Sequence, residues 1–144
     1  MNQAKFLSFK DLLQLDPTVD PIEEYVEKHG YGCTYFTKEV RPGFFAIKIT
    51  DEYASYFKKG SELLVAAAQY PKNGGTVIAR IHDSNEIIIA QYQRQDDCIT
   101  LTPLDGRKEI TWDCRTDRGF LCWLYPLLEA RIDLSCDDTN GFLE

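Results

Sequence analysis

From residue 33 to residue 124 the chain alternates short apolar or β-branched runs with clusters of Gly, Pro, Asn and Asp. That alternation constrains the fold more than any other feature. Runs cover residues 34–36, 44–49, 62–68, 76–81, 86–92, 98–101, 109–112 and 120–124. The breaks include Arg41-Pro42-Gly43, the sharper Pro71-Lys72-Asn73-Gly74-Gly75, and His82-Asp83-Ser84-Asn85. Asn-Gly accepts positive φ at little cost, so residues 71–75 form the strongest turn signal. Strand signals at this spacing predict a mainly β, compact antiparallel domain arranged as a meander.

The first 32 residues read differently, as a short helical leader to a β domain over 33–144. Phe6, Phe9, Leu12 and Leu13 recur at helical spacing, and Asp16-Pro17 closes that piece. A second helix is predicted over residues 20–28. Asp20 would be its N-cap, Pro21 its first position, and Glu23 and Glu24 its first turn. Gly30 and Gly32 would end it. A helix-turn-helix DNA reader needs three helices and a basic face, so none is expected.

At 144 residues and 44% apolar composition the chain is one globular domain. No run reaches the ~18 apolar residues of a membrane span, and the first residues lack a signal-peptide layout. A cytoplasmic protein without membrane contact is expected. The net charge of −7 argues against a broad phosphate-binding surface, so no direct nucleic-acid partner is expected. Acids gather at Asp16, Asp20, Glu23, Glu24 and Glu27, and again at Asp133, Asp137, Asp138 and Glu144. Both groups read as solvated ends, with a basic partner as the alternative. Cys33, Cys98, Cys114, Cys122 and Cys136 lack zinc-knuckle or redox spacing, and His29 and His82 stand apart. No metal site and no cofactor are expected.

Read in order, residues 44–134 resemble the catalytic domain of LexA-type self-cleaving repressors and UmuD-type polymerase accessory proteins. The matching stretches are Thr50-Asp51-Glu52-Tyr53, Phe57-Lys58-Lys59-Gly60-Ser61 and Leu63-Leu64-Val65. They continue through the Asn73-Gly74 turn, residues 76–81, residues 86–91 and Ile99-Thr100-Leu101-Thr102-Pro103-Leu104. The family's chemistry uses a serine hydroxyl that attacks a peptide carbonyl and a neutral, desolvated lysine that takes its proton. Position by position, the resemblance puts the serine on Glu52 and the lysine on Ala90, or on neighbouring Ile89 or Gln91. None of these can do that work. No lysine lies between Lys72 and Lys108, and the Ala-Gly and Cys-Gly dipeptides at which family members are cut are missing. The resemblance therefore implies a pseudo-peptidase, with Glu52 and Ala90 as vacated catalytic positions.

In the resembling proteins this domain dimerises and its cleft holds an extended segment. The implied role is regulatory: a homodimer, or a module that binds a repressor or a translesion polymerase, in transcription regulation or the SOS response. The apolar stretch Phe120-Leu121-Cys122-Trp123-Leu124-Tyr125 reads as core first, with Trp123 and Tyr125 as the candidate dimer contact. Two other classes stay open. One is an active peptidase using Ser55 or Ser61 with a lysine brought from elsewhere in the fold. The other is an unrelated small β-barrel binding module.

Overall fold

The computed structural model describes residues 2–50, 56–82 and 86–132. The predicted mainly β class holds. Among the described residues nine strands form one sheet in the order β2-β1-β3-β4-β9-β5-β6-β7-β8. They are β1 Gln3–Phe6, β2 Tyr31–Tyr35, β3 Phe45–Lys48, β4 Glu62–Val65, β5 Thr76–Ile81, β6 Glu86–Gln95, β7 Cys98–Pro103, β8 Ile110–Asp113 and β9 Leu121–Arg131. Every pairing is antiparallel except β1 with β3.

Strands β5 to β8 follow one another as a meander, but the whole domain does not. β9 runs between β4 and β5, pairing with β5 over residues 121–126 and with β4 over 127–131. The sequence reading ends this strand at residue 124, whereas β9 runs on through Pro126 to Arg131. Proline lacks a ladder N–H, and here it sits where β9 leaves β5 and joins β4, close to a register shift. Its carbonyl still accepts from the Ala66 amide at 2.9 Å. The strong turn behaves as its residues require. Gly74 takes φ +83°, and the Asn73 side chain clamps the Arg94 backbone, accepting from its N–H at 2.7 Å. Yet this turn does not make a hairpin, since β4 and β5 are not neighbours.

The N-terminal residues depart from the helical reading at their start. Gln3 to Phe6 form β1, seated between β2 and β3, and Phe6 stacks on Tyr31 at 5.7 Å. Helix α1, Phe9–Gln14, begins only after Ser8, whose hydroxyl accepts from the Asp11 amide while Asp11 accepts from the Ser8 amide. Such a capping box satisfies two amides that the first turn leaves orphaned. Helix α2, Ile22–His29, has Pro21 at its N-cap with no side-chain cap, so Asp20 does not serve in that role. Gly30 ends α2 as predicted. Gly32 instead lies within β2 at φ +53°, beside a register shift that gives β2 one residue more than β1.

Apolar residues divide by sheet face. Phe45, Ile47, Leu63, Val65, Ile78, Ile89, Trp123 and Tyr125 share one buried cluster with Leu7, Leu12, Leu15, Tyr25 and Val26 from the N-terminal segment. On the other face, β5 to β9 enclose a second cluster, and β1, β3, β4 and residues 36–44 a third. Around the third cluster, side chains join β9 to β2. The Glu129 carboxylate accepts from the amides of Thr37 and Lys38 at 3.0 and 2.9 Å and from the Thr37 hydroxyl at 2.9 Å. Arg131 donates to the Thr34 hydroxyl, to the Tyr35 carbonyl at 2.9 Å and to Glu62.

This seam has a pH signature. Partial burial tends to raise the Glu129 carboxyl, but the Thr37 and Lys38 donors outweigh it and hold it below its ordinary 4.5. A depressed carboxylate contributes stability that is full above its unfolded value and is lost as pH falls through its folded value. Glu129→Gln is therefore expected to cost about 1 kcal/mol at pH 7, discounted for solvent exposure, and progressively less below about pH 4.5. Urea unfolding of both proteins across that range checks it. A difference that stays constant with pH would show that the charge contributes nothing.

Candidate functional site

Glu52 and Ser55 lie outside the described residues, as do Asp51, Ala54 and Cys136. Of the candidates that are described, Ala90 lies on β6 and Ser61 just before β4, three strands away in the sheet order, so the fold does not bring them together. Ala90 is in the middle of β6, paired with Val77 of β5 and Pro103 of β7. Because strand side chains alternate, Ile88, Ala90 and Tyr92 point to the same face, with Val77, Ala79, Leu101 and Trp112 around them. Ala90 is fully buried there, in a hydrophobic cluster. Of its neighbours, Ile89 faces the opposite cluster and Gln91 is exposed.

Ser61 follows the turn at Lys58-Lys59-Gly60, with Gly60 at φ +93°. Its amide donates to the Lys58 carbonyl at 3.0 Å, and its carbonyl accepts from the Ile49 amide at 2.8 Å. Those two bonds turn the side chain inward, where it is fully buried. Among the described residues the Ser61 hydroxyl has no hydrogen-bond partner, and the same holds for the buried Thr50 hydroxyl and Trp123 indole N–H. Lys58 and Lys59 themselves are exposed. A serine works as a nucleophile only with a base within hydrogen-bond reach, and among the described residues Ser61 has none.

Trp123 and Tyr125 are brought together on one face of β9. Their rings lie parallel, 5.2 Å apart and tilted by 10°, and the Phe45 ring meets Tyr125 edge-on at 6.4 Å. Both are buried within the protomer, in the cluster that the N-terminal segment covers. That burial pushes the Tyr125 hydroxyl up to about 12, so the phenol is neutral at any physiological pH.

Two features escaped the sequence reading. One is the Glu129–Arg131 seam, whose only sequence trace is an acid and a base two residues apart on one strand face. The other is an open groove of about 850 Å³ between α2, β1 and the turn before β3. Ala4, Val26 and Phe44 form its floor, and Lys5, Glu23, Glu24 and Arg41 are on its rim. Lys5 and Glu27 bridge its wall at 3.3 Å.

Among the described residues no cluster of His, Cys, Asp or Glu could hold a metal ion. Cys33 and Cys98 are exposed, Cys114 and Cys122 half-buried, and all four are free thiols. No helix among the described residues is long and apolar enough to cross a membrane. Compared with known protein families and with curated proteins, the chain matches none.

Proposed function

We propose that this chain is a non-catalytic regulatory module, related in design to the LexA- and UmuD-type domains, that works by dimerising or by binding a protein partner. The observation that carries the reading is Ala90. At the place where the resemblance puts a proton-accepting lysine, the side chain is a buried methyl group in a hydrophobic cluster. The buried Ser61 hydroxyl supports it further, since among the described residues it has no base within hydrogen-bond reach. The regulatory role, the cytoplasmic setting and a repressor or translesion polymerase as partner rest on the resemblance.

Long incubation of the purified chain from pH 6 to pH 10 tests this reading, with intact-mass spectrometry and labelling by a serine-reactive phosphonate. The expected result is no self-cleavage and no labelled serine at any pH. Cleavage that disappears in Ser55→Ala or Ser61→Ala would make the protein an active peptidase.

A further inference from the structure

A cleft of about 520 Å³ opens where the loop before β5 meets the end of β6. Tyr70, Pro71 and Asn73 form its loop wall, and Tyr92, Arg94 and Asp96 its strand wall. Hydrogen bonds fasten the two walls together. The Asn73 side chain accepts from the Arg94 amide at 2.7 Å and donates to the Arg94 carbonyl at 3.2 Å. The Gly74 amide donates to the Tyr92 carbonyl at 2.8 Å, and the Tyr92 amide donates to the Gly75 carbonyl at 2.9 Å. Backbone pairing therefore sets the cleft in advance, and a ligand need not order it.

The polar groups inside it are ones the fold leaves unused. Tyr92 is only 6% exposed, and its ring belongs to the cluster around Ala90. The loop takes both its main-chain groups, so the polar atom it offers the cleft is its hydroxyl, which bonds to no described residue. A buried hydroxyl normally has a partner, because leaving water without one costs about 1–3 kcal/mol. Strand alternation sends Arg94 to the same side as Tyr92. Its Nε donates to the Asp96 carbonyl at 2.7 Å and its Nη2 lies 3.8 Å from Asp97, which leaves Nη1 for the cleft. The exposed Asp96 carboxylate bonds to no described residue. Opposite them Tyr70 is 94% exposed, an aromatic ring with a free face.

We infer that this cleft binds a neutral sugar ring, stacked on Tyr70 and hydrogen-bonded by Tyr92, Arg94 and Asp96. Charge selects the class. The two charged lining residues, Arg94 and Asp96, have opposite signs, and behind them Asp97 bridges Arg94 at 3.8 Å and Arg115 at 3.3 Å. A phosphate would face the Asp96 carboxylate and a cation the Arg94 guanidinium, so neither sign is drawn in. A pyranose fits the same groups. Its hydroxyls both donate and accept, so neighbouring ones donate to Asp96 and accept from Arg94. Its C–H face carries slight positive charge and meets the negative face of the Tyr70 ring. The volume falls within the range of small-molecule sites, about 300–1,000 Å³. The inference goes beyond the proposed regulatory role and does not rest on it.

Saturation-transfer NMR on the full chain tests it, with maltotriose, cellotriose, mannotriose and chitotriose as probes, each at ~10 mM. At least one is expected to bind with a Kd of about 1 mM or tighter, its ring C–H protons taking up most of the saturation. Tyr70→Ala is expected to weaken that binding about tenfold, because the stacking face is gone. Tyr92→Phe keeps the buried ring and removes only the hydroxyl, and is expected to weaken binding roughly three- to tenfold. Circular dichroism and thermal unfolding show that both variants are folded. No saturation with any of the four probes overturns the inference. Binding that both variants leave unchanged overturns it as well, by placing the sugar on another surface. Guanosine monophosphate or an arginine-rich peptide that binds through Tyr70 where the sugars do not would show that the cleft selects a charged ligand, and the inference falls.

Discussion

Ala90→Lys is expected to destabilise the fold by about 3–5 kcal/mol, because it buries an amine with no partner. The position is flanked on both strand sides by Val77 and Pro103, and no charged side chain belongs to its cluster. Neutralising the amine on folding depresses its pKa, and a depressed base makes stability rise with pH. The variant should therefore be weakest at neutral pH and recover part of its stability towards pH 10. Urea unfolding followed by tryptophan fluorescence reads this well, since Trp112 is in the same cluster. The fall in Tm should be roughly 10 °C or more for a chain of this size. A loss below about 1 kcal/mol would mean that the ammonium reaches water through a cleft. Ala90 would then mark a retained lysine pocket, and the case for a relocated base would revive.

Leu15→Ala is the second large effect, and it tests how the N-terminal segment belongs to the domain. Leu15 is fully buried after α1, in one cluster with Phe45, Ile78, Ile89 and Trp123 from four strands. Removing its side chain should cost about 2–5 kcal/mol, the range for a buried leucine whose surroundings cannot fully collapse. Unfolding should remain a single transition with an unchanged denaturant slope. If the first 32 residues were an appendage, the β5–β8 amides would keep their exchange protection while the helices lost theirs. Loss of protection in both together is the expected outcome, because Leu7, Leu12 and Leu15 cover the sheet face that carries Ile78 and Ile89.

Particular residues show which parts of the fold could be read in advance. Strands β3 to β8 follow from local alternation, and the Asn73-Gly74 turn from residues whose own backbone preferences demand it. Helix α1 was legible from its apolar spacing and α2 from Glu23 and Glu24 in its first turn and Gly30 at its end, though the expected Asp20 cap fails and Phe6 misled. Its helical interval to Phe9 spans a strand end and a cap, and only pairing with β2 and β3 makes residues 3–6 extended. β9 was legible as an apolar run but not as a strand of eleven residues, since Pro126 would end it in isolation. Two different neighbours on its two halves let it continue.

The candidate site divides the same way. Sequence order alone shows that no lysine can occupy the position of Ala90 or its neighbours, because composition along the chain needs no coordinates. Whether that position is a cleft or a core is a tertiary matter, and the register of β5, β6 and β7 decides it in favour of a buried hydrophobic cluster. Trp123 and Tyr125 make the same point: the sequence shows an unbroken apolar run over residues 120–125, but which surface covers each side chain is not written there. Local propensities act over a few residues and are written in the chain. The covering of one strand by another, a helix or a second molecule depends on contacts between residues far apart in sequence, and those exist only after folding.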